Sequence, residues 1–277
     1  MAFTAADVKA LREKTGAGMM ECKKALTECN GDAAEAEKLL KEKGLAAMEK
    51  RAERATTEGR LFIRQVGNKI AVAEVTCETD FVANNSDFIA TGEKILDVTF
   101  EKGYTKVEAD HEALLEPLKV SIRENMKVAK VEVIDIPADA IGSFYVHSDK
   151  KTGAVVVIKG SNAESLKTFA YDCCLHIAAF TPSYISNKDV PQSYIDEQKE
   201  IYKAKMDQDA KMASKPDNVK EGILQGQIKK HLAEICFEDQ MFVKDDKKTV
   251  TAKLAEVGKE VGATLSFATA KLYILGK

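Results

Sequence analysis

Apolar positions recur along the chain with two periods, and the change from one to the other divides it. Residues 1–45 carry helical spacing. Val8 and Leu11 open one stripe, Met19, Cys22 and Leu26 fall at i, i+3 and i+7, and Ala36, Leu39 and Leu40 form a third. Thr4 and Asp7 have the separation of a helix N-cap and its acidic N3 partner, and Asp32 with Glu35 opens the third helix in the same way. Thr15-Gly16-Ala17-Gly18 and Asn30-Gly31 are the breaks between helices. The pattern predicts a three-helix module over 1–45, too small to bury much apolar surface and better suited to docking than to housing an active site. Residues 46–59 lie in a stretch rich in Ala, Lys, Arg and Glu, which reads as a helical linker with a solvated charged face.

After Gly59 the apolar residues become strand-like. Residues 60–66 and 69–77 are rich in Ile, Val, Phe and Ala, and Gly67-Asn68 between them is a two-residue hairpin signal. A helix starting near Ser86 carries Phe88, Ile89, Ile95 and Leu96, and a second carries Leu114, Leu115, Leu118 and Ile122. Residues 128–136 read as a strand that ends before Pro137. The same order then begins again: 142–146 echoes 59–63, a turn over 149–153 leads to the strand 154–158, and a helix is expected over 163–179. A helix opening at Thr249 and a strand over 263–275 complete the second copy. The fold class is therefore α+β: the helical module, a first core unit over 60–140, and a second over 141–277, each an antiparallel sheet covered by helices.

The second unit carries an insertion at about 189–237. Tyr194, Ile195, Ile201, Tyr202 and Met206 recur near heptad spacing, Ser214-Lys215-Pro216 turns the chain, and Val219, Ile223, Leu224, Ile228, Leu232 and Ile235 return. Two antiparallel helices of this length would project about 30 Å. So narrow an apolar seam is satisfied by the sister helix alone, or it also serves a partner or a second copy of the chain; both readings stay open.

Composition narrows the function classes. A formal net charge of −3 over 277 residues gives no general electrostatic attraction for nucleic acid, so no direct nucleic-acid partner is expected. No stretch approaches the ~20 apolar residues of a membrane span, and the N-terminus lacks the basic and apolar segments of a secretory signal. The 6 cysteines form no C-x-x-C pair and read as reduced thiols of a cytoplasmic protein, with Cys173-Cys174 buried in an apolar helix. The 4 histidines have no metal-ligand spacing, and His176 reads as a satisfied core residue. Neither a phosphate-binding loop nor a dinucleotide fingerprint is present, so no cofactor and no catalytic residue is assigned.

One segment stands out. Glu78-Thr79-Asp80-Phe81-Val82-Ala83-Asn84-Asn85 leaves a strand end and sets a carboxylate directly before an aromatic ring. The residues alone fit two readings. Either Asp80 and Phe81 are pushed into a partner, or Phe81 anchors the core while Asp80 or Ser86 caps a helix.

Two segments carry a resemblance. Leu11-Arg12-Glu13-Lys14-Thr15-Gly16-Ala17-Gly18-Met19-Met20-Glu21-Cys22-Lys23-Lys24-Ala25-Leu26 resembles the N-terminal signature of the bacterial elongation factor Ts family. Glu74-Val75-Thr76-Cys77-Glu78-Thr79-Asp80-Phe81-Val82-Ala83-Asn84 resembles its second signature, with Thr76 where the family usually has Asn. The likeness extends over nearly the whole chain, including the UBA-like module, the duplicated core and the helical hairpin. It implies an exchange factor that makes no covalent bond: it binds elongation factor Tu, displaces Mg²⁺ from that GTPase and promotes GDP release so that GTP can bind. The resemblance gives Thr79, Asp80, Phe81 and Val82 the role of dislodging Mg²⁺. It implies docking contacts at Arg12, Met19, Met20 and Lys23 on the GTPase domain. Further contacts, including a second surface of Tu, fall to Ile122, Asn125, His147, Phe242 and Val243. Relatives often have Gly where Arg123 stands and Pro where Met241 stands. Some carry a further C-terminal helix, whose contacts are expected to be absent from a chain ending at Lys277. A homodimer or a 2:2 complex is compatible with the hairpin. Two other readings stand beside this one: a generic interaction protein built on the three-helix module, and an enzyme with its active site at the junction of the two units.

Overall fold

The computed structural model describes residues 3–277; Met1 and Ala2, part of the stretch read for a signal, lie outside them. The chain forms two compact units, the first running through Ile134 with two short later returns, the second built from Asp135–His147 and Thr152–Tyr273.

The first unit opens with α1 (Ala5–Thr15), α2 (Met19–Glu28) and α3 (Ala33–Glu49). The expected caps form. The Thr4 hydroxyl accepts the Asp7 N–H while the Asp7 carboxylate accepts the Thr4 N–H at 2.6 Å, and Asp32 accepts the N–H groups of Ala34 and Glu35. Val8, Leu11, Cys22, Ala25, Leu26 and Ala36 make the small core of this bundle. Helix α3 runs unbroken through Gly44 into the stretch read as linker.

β1 (Glu58–Val66) and β2 (Lys69–Cys77) pair antiparallel, with Val66 opposite Lys69 across the Gly67-Asn68 turn. A four-residue helix, α4 (Asp80–Ala83), follows, then α5 (Ser86–Lys102), α6 (Ala109–Ile122) and β3 (Met126–Asp135), and the sheet order is β1-β2-β3. β2 is the central strand and is buried from Ile70 through Cys77, so its sequence reads as a continuous apolar run broken only by Glu74 and Thr76. Phe62, Val75 and Cys77 of the hairpin pack with Phe88, Ile95 and Leu96 of α5, Leu115 and Leu118 of α6, and Val82 and Ala83 of α4.

The second unit repeats the order. β4 (Ala140–Val146) and β5 (Thr152–Lys159) pair antiparallel, α7 (Leu166–Phe180) follows, and the third strand is the last one, β8 (Ser266–Ile274), in the order β4-β5-β8. The insertion holds α8 (Gln192–Gln208), α9 (Ala210–Ala213) and α10 (Asp217–Ile235). Met206, Leu224 and Ile228 are the buried centre of its seam. Where one helix was expected through Met212, Asp209 interrupts it, accepting the N–H groups of Lys211 and Met212 as the cap of α9. A short antiparallel pair, β6 (Met241–Phe242) and β7 (Asp245–Thr249), was not expected, because Asp245-Asp246-Lys247-Lys248 shows no apolar alternation. Helix α11 (Val250–Glu260) is capped by Thr249, as its sequence predicts. Among the described residues no helix is long and apolar enough to cross a membrane.

Candidate partner-binding site

The acidic–aromatic segment is a single helical turn gripped at both ends. Thr79 is the N-cap of α4, its Oγ1 accepting the Val82 N–H. The carboxylate of Glu124, just beyond α6, receives three donors from this segment. Oε2 accepts the N–H groups of Glu78 at 3.2 Å and Thr79 at 3.1 Å, and Oε1 accepts the Thr79 hydroxyl at 2.7 Å. Behind the turn, the Cys77 thiol donates to the Thr79 carbonyl at 3.2 Å; burial, with the charge of Glu124 adding, pushes that thiol up to about 12. At the far end, Arg60 donates to the Ala83 carbonyl and to the Asn84 side-chain oxygen, both at 2.7 Å, and Asn84 Nδ2 donates to the Asp80 carbonyl. Asn85 caps α5 through the N–H groups of Asp87 and Phe88.

This geometry overturns the reading in which Phe81 anchors the core and Asp80 or Ser86 caps a helix. The helix caps are Thr79 and Asn85, not Asp80 or Ser86, and Phe81 is 84% exposed, so it anchors no core. Val82 and Ala83, on the other side of the same turn, are buried in the core of the first unit. The turn's hydrogen bonds among the described residues engage Asp80 through its carbonyl, and Asp80 is exposed like Phe81. A Phe ring held in water forgoes roughly 1.5–3 kcal/mol that burial would return.

The other expected contact residues divide by exposure. On α2, Cys22 and Leu26 face the module's core while Met19, Met20 and Lys23 face out, Met20 being 73% exposed; Arg12 is also exposed. Ile122 is half-buried. Asn125 is buried: its side chain donates to the carbonyls of Ala52 and Arg54, and its N–H donates to Glu78 Oε1 at 2.7 Å. His147 is exposed at the end of β4 and shares a hydrogen bond of 2.8 Å with the Tyr145 hydroxyl. Phe242 is buried against Phe169 and His176, whereas Val243 beside it is exposed. In the free chain Val82, Asn125 and Phe242 thus present little side-chain surface; Val82 and Phe242 fill apolar space, and Asn125 holds the carbonyls of Ala52 and Arg54.

No sequence signal ties Glu124 to Thr79: the two lie 45 residues apart, and a Glu after a helix reads as solvated. His176 is the satisfied core residue its setting predicts. Its Nε2 bonds Gln240 Oε1 at 2.8 Å, Nδ1 accepts the Val243 N–H at 3.1 Å, and burial lowers its pKa. Cys173 and Cys174 are buried free thiols, and burial raises both pKa values, that of Cys174 to about 12. Among the described residues no cluster of His, Cys, Asp and Glu could hold a metal ion. A cleft of about 730 Å³ in the first unit lies against α3 and α6, lined by Lys14, Lys24, Lys41, Arg51 and Arg123, and does not include the Thr79–Phe81 turn.

The profile of the family described as Elongation factor TS matches residues 78–271. Elongation factor Ts of Treponema denticola is 52% identical over 100% of this chain and 99% of its own length. That of Treponema pallidum (strain Nichols) is 46% identical with the same coverage, and that of Borrelia recurrentis is 41% identical over 94% of each chain. With more than half of its length matched by the family profile and its relatives aligned end to end, this chain belongs to the elongation factor Ts family.

Proposed function

We propose that this chain is a guanine-nucleotide exchange factor for elongation factor Tu, acting in the cytoplasm during translation elongation. It binds Tu–GDP, its Asp80 and Phe81 enter beside the nucleotide site and dislodge Mg²⁺, and GDP leaves so that GTP can bind. The observation that carries the proposal is the exposed Phe81 ring on a turn whose two ends are tethered by hydrogen bonds. A rigid mount lets the ring act as a wedge, because little ordering entropy is lost when it inserts.

The chemistry follows from how a nucleoside diphosphate is held. Its pyrophosphate charge is balanced largely by the metal ion, so moving the ion weakens the phosphate grip. The Asp80 carboxylate supplies negative charge where the ion sat, and Phe81 buries its ring in the partner. Exchange is then negative coupling between two ligands of one GTPase, and it is reciprocal: nucleotide also weakens binding of this chain. A 10⁴-fold effect needs about 5.5 kcal/mol of coupling, more than one ring supplies. Arg12, Met19, Met20 and Lys23 on the helical module supply further docking energy on the GTPase domain. Ile122 adds to it in the first unit, and His147 and Val243 of the second unit engage a second surface of Tu. Asn125 and Phe242 hold those contacts from beneath.

The test is direct. Purified chain added to Tu loaded with fluorescent GDP is expected to accelerate loss of the fluorophore, and an unchanged rate would overturn the proposal. Asp80→Ala and Phe81→Ala are expected to slow release more than they weaken affinity for nucleotide-free Tu. A loss confined to affinity would remove the metal-displacement step.

A further inference from the structure

We infer that Glu124 is a positioning residue for the exchange reaction, the group that aims the Asp80–Phe81 turn. The inference rests on the exchange-factor reading and adds to it a residue that touches neither nucleotide nor metal.

A four-residue helix has no stability of its own, since the first turn fixes several backbone torsions for a single hydrogen bond. α4 is therefore oriented by what grips its ends. At its C-terminal end the grip is Arg60, and beneath it Val82 and Ala83 are buried. At its N-terminal end one carboxylate provides the grip: Glu124 accepts two successive backbone N–H groups, those of Glu78 and Thr79, and the Thr79 hydroxyl. These bonds fix the two successive peptides Cys77–Glu78 and Glu78–Thr79, whose orientation sets the direction in which Asp80 and Phe81 leave the strand. Hydrogen bonds to an ionised acceptor are about twice as strong as neutral ones, so the clamp is stiff.

The neighbours of Glu124 show what it connects. Arg123 pairs with Glu21 of α2, one of its two bonds being 2.9 Å long, while Asn125 binds the carbonyls of Ala52 and Arg54 in the linker and Glu78 beyond the strand end. Three consecutive residues thus bind the helical module, the turn and the linker in that order. Through this strap a partner that seats the module also sets the base of the wedge, which places the docking energy of one surface at the service of another. Glu124 is half-buried, and its hydrogen bonds go to Glu78 and Thr79 at the base of the turn.

The experiment measures release of fluorescent GDP from Tu at increasing Tu–GDP concentration. Glu124→Ala is expected to lower kcat by on the order of 10- to 100-fold, the usual penalty for misplacing a reacting group by about an ångström, with KM changed by less than about 2-fold. Glu124→Gln is expected to restore most of kcat, because its carbonyl oxygen accepts the two backbone N–H groups while its amide donates to Thr79 Oγ1. An unchanged kcat in Glu124→Ala, or a loss that Gln does not repair, would overturn the inference. Should Glu124→Ala fold poorly, Glu124→Asp carries the test, since it keeps the charge but draws the carboxylate back by one methylene from Thr79, and it must lower kcat several-fold. Amide hydrogen exchange at residues 80–84 of the free chain reads the same clamp without Tu: Glu124→Ala must speed it, and unchanged protection overturns the inference on its own. Unmodified chain that fails to release GDP while exchange at 80–84 does respond would instead defeat the functional reading and leave the clamp standing.

Discussion

Phe81 and Val82 are adjacent in the chain and opposite in environment: Phe81 is 84% exposed, and Val82 is 8% exposed within the core of the first unit. Stability and activity should therefore separate between them. Phe81→Ala is expected to leave the denaturation midpoint within about 0.5 kcal/mol of the original, as for any exposed site, while abolishing most of the exchange activity. Val82→Ala removes buried methyl groups and leaves a void, which costs about 2 kcal/mol. Urea titration of both variants checks this. Equal destabilisation would mean that the ring is not free.

Much of this architecture could be read before the structure. The caps at Thr4, Asp32 and Thr249, the Gly67-Asn68 turn and the repeated hairpin are all written in local sequence, because each depends on residues within a few positions of one another. What could not be read depends on distant partners. The reach of Glu124 to Thr79 is one case. Another is the cap at Asp209, where a run of good helix formers hides a break. The exposure of Phe81 is one of two readings that the residues alone leave open, and the burial of Val82 and Ala83 in the same turn accompanies it.

Arg123 adopts φ 68°, the left-handed conformation, where it ends α6. Glycine takes this backbone shape freely, whereas an L side chain bears a cost of roughly 1–2 kcal/mol. The return is the pair with Glu21, whose pKa is lowered chiefly by the hydrogen bond from Arg123. Both side chains are nearly half exposed, so solvent leaves the pair worth at most about 1 kcal/mol. Arg123→Gly is thus expected to be near neutral in stability, and Arg123→Ala about 1 kcal/mol worse than Gly, because Ala loses the pair and keeps the strain. Thermal melts of the two variants side by side decide it.

His111 and His176 are both held neutral, in the same tautomer. Thr99 Oγ1 donates to the Ile95 carbonyl, so it must accept from His111 Nε2, whose Nδ1 accepts the Glu108 N–H. At His176, Nδ1 accepts the Val243 N–H and Nε2–H donates to Gln240. Burial lowers both pKa values; nearby carboxylates oppose this at His111, whereas Phe180, Phe237 and Phe242 surround His176. A histidine with a lowered folded pKa is protonated first in the unfolded chain. Between the unfolded value of about 6.5 and the lower folded one, the unfolded state binds more protons, so stability rises with pH and is lost on acidification. Denaturant titrations from pH 7.5 to 5 should show stability falling below about pH 6.5, with a shallower fall in His176→Gln. A flat profile over that range would mean that the imidazoles are not buried neutral.

Gly92 tests the packing of α5 on the sheet that carries the turn. It lies inside the helix, where Ala is ordinarily better than Gly by about 0.8–1 kcal/mol. Here a Cβ would overlap the ring of Phe62, itself 5% exposed in the core and with no open space to move into. Overpacking of this kind costs about 1–3 kcal/mol, enough to reverse the gain, so Gly92→Ala is expected to destabilise the chain. At Gly222 and Gly226 of α10 nothing lies within 4 Å of the place a Cβ would take, and there the same change should stabilise by somewhat under about 1 kcal/mol. Pairing Gly92→Ala with Phe62→Leu should recover part of the loss, since the smaller side chain vacates the ring's volume; a double variant no better than the sum of the two singles would show that the helix is held off the sheet by something other than this contact.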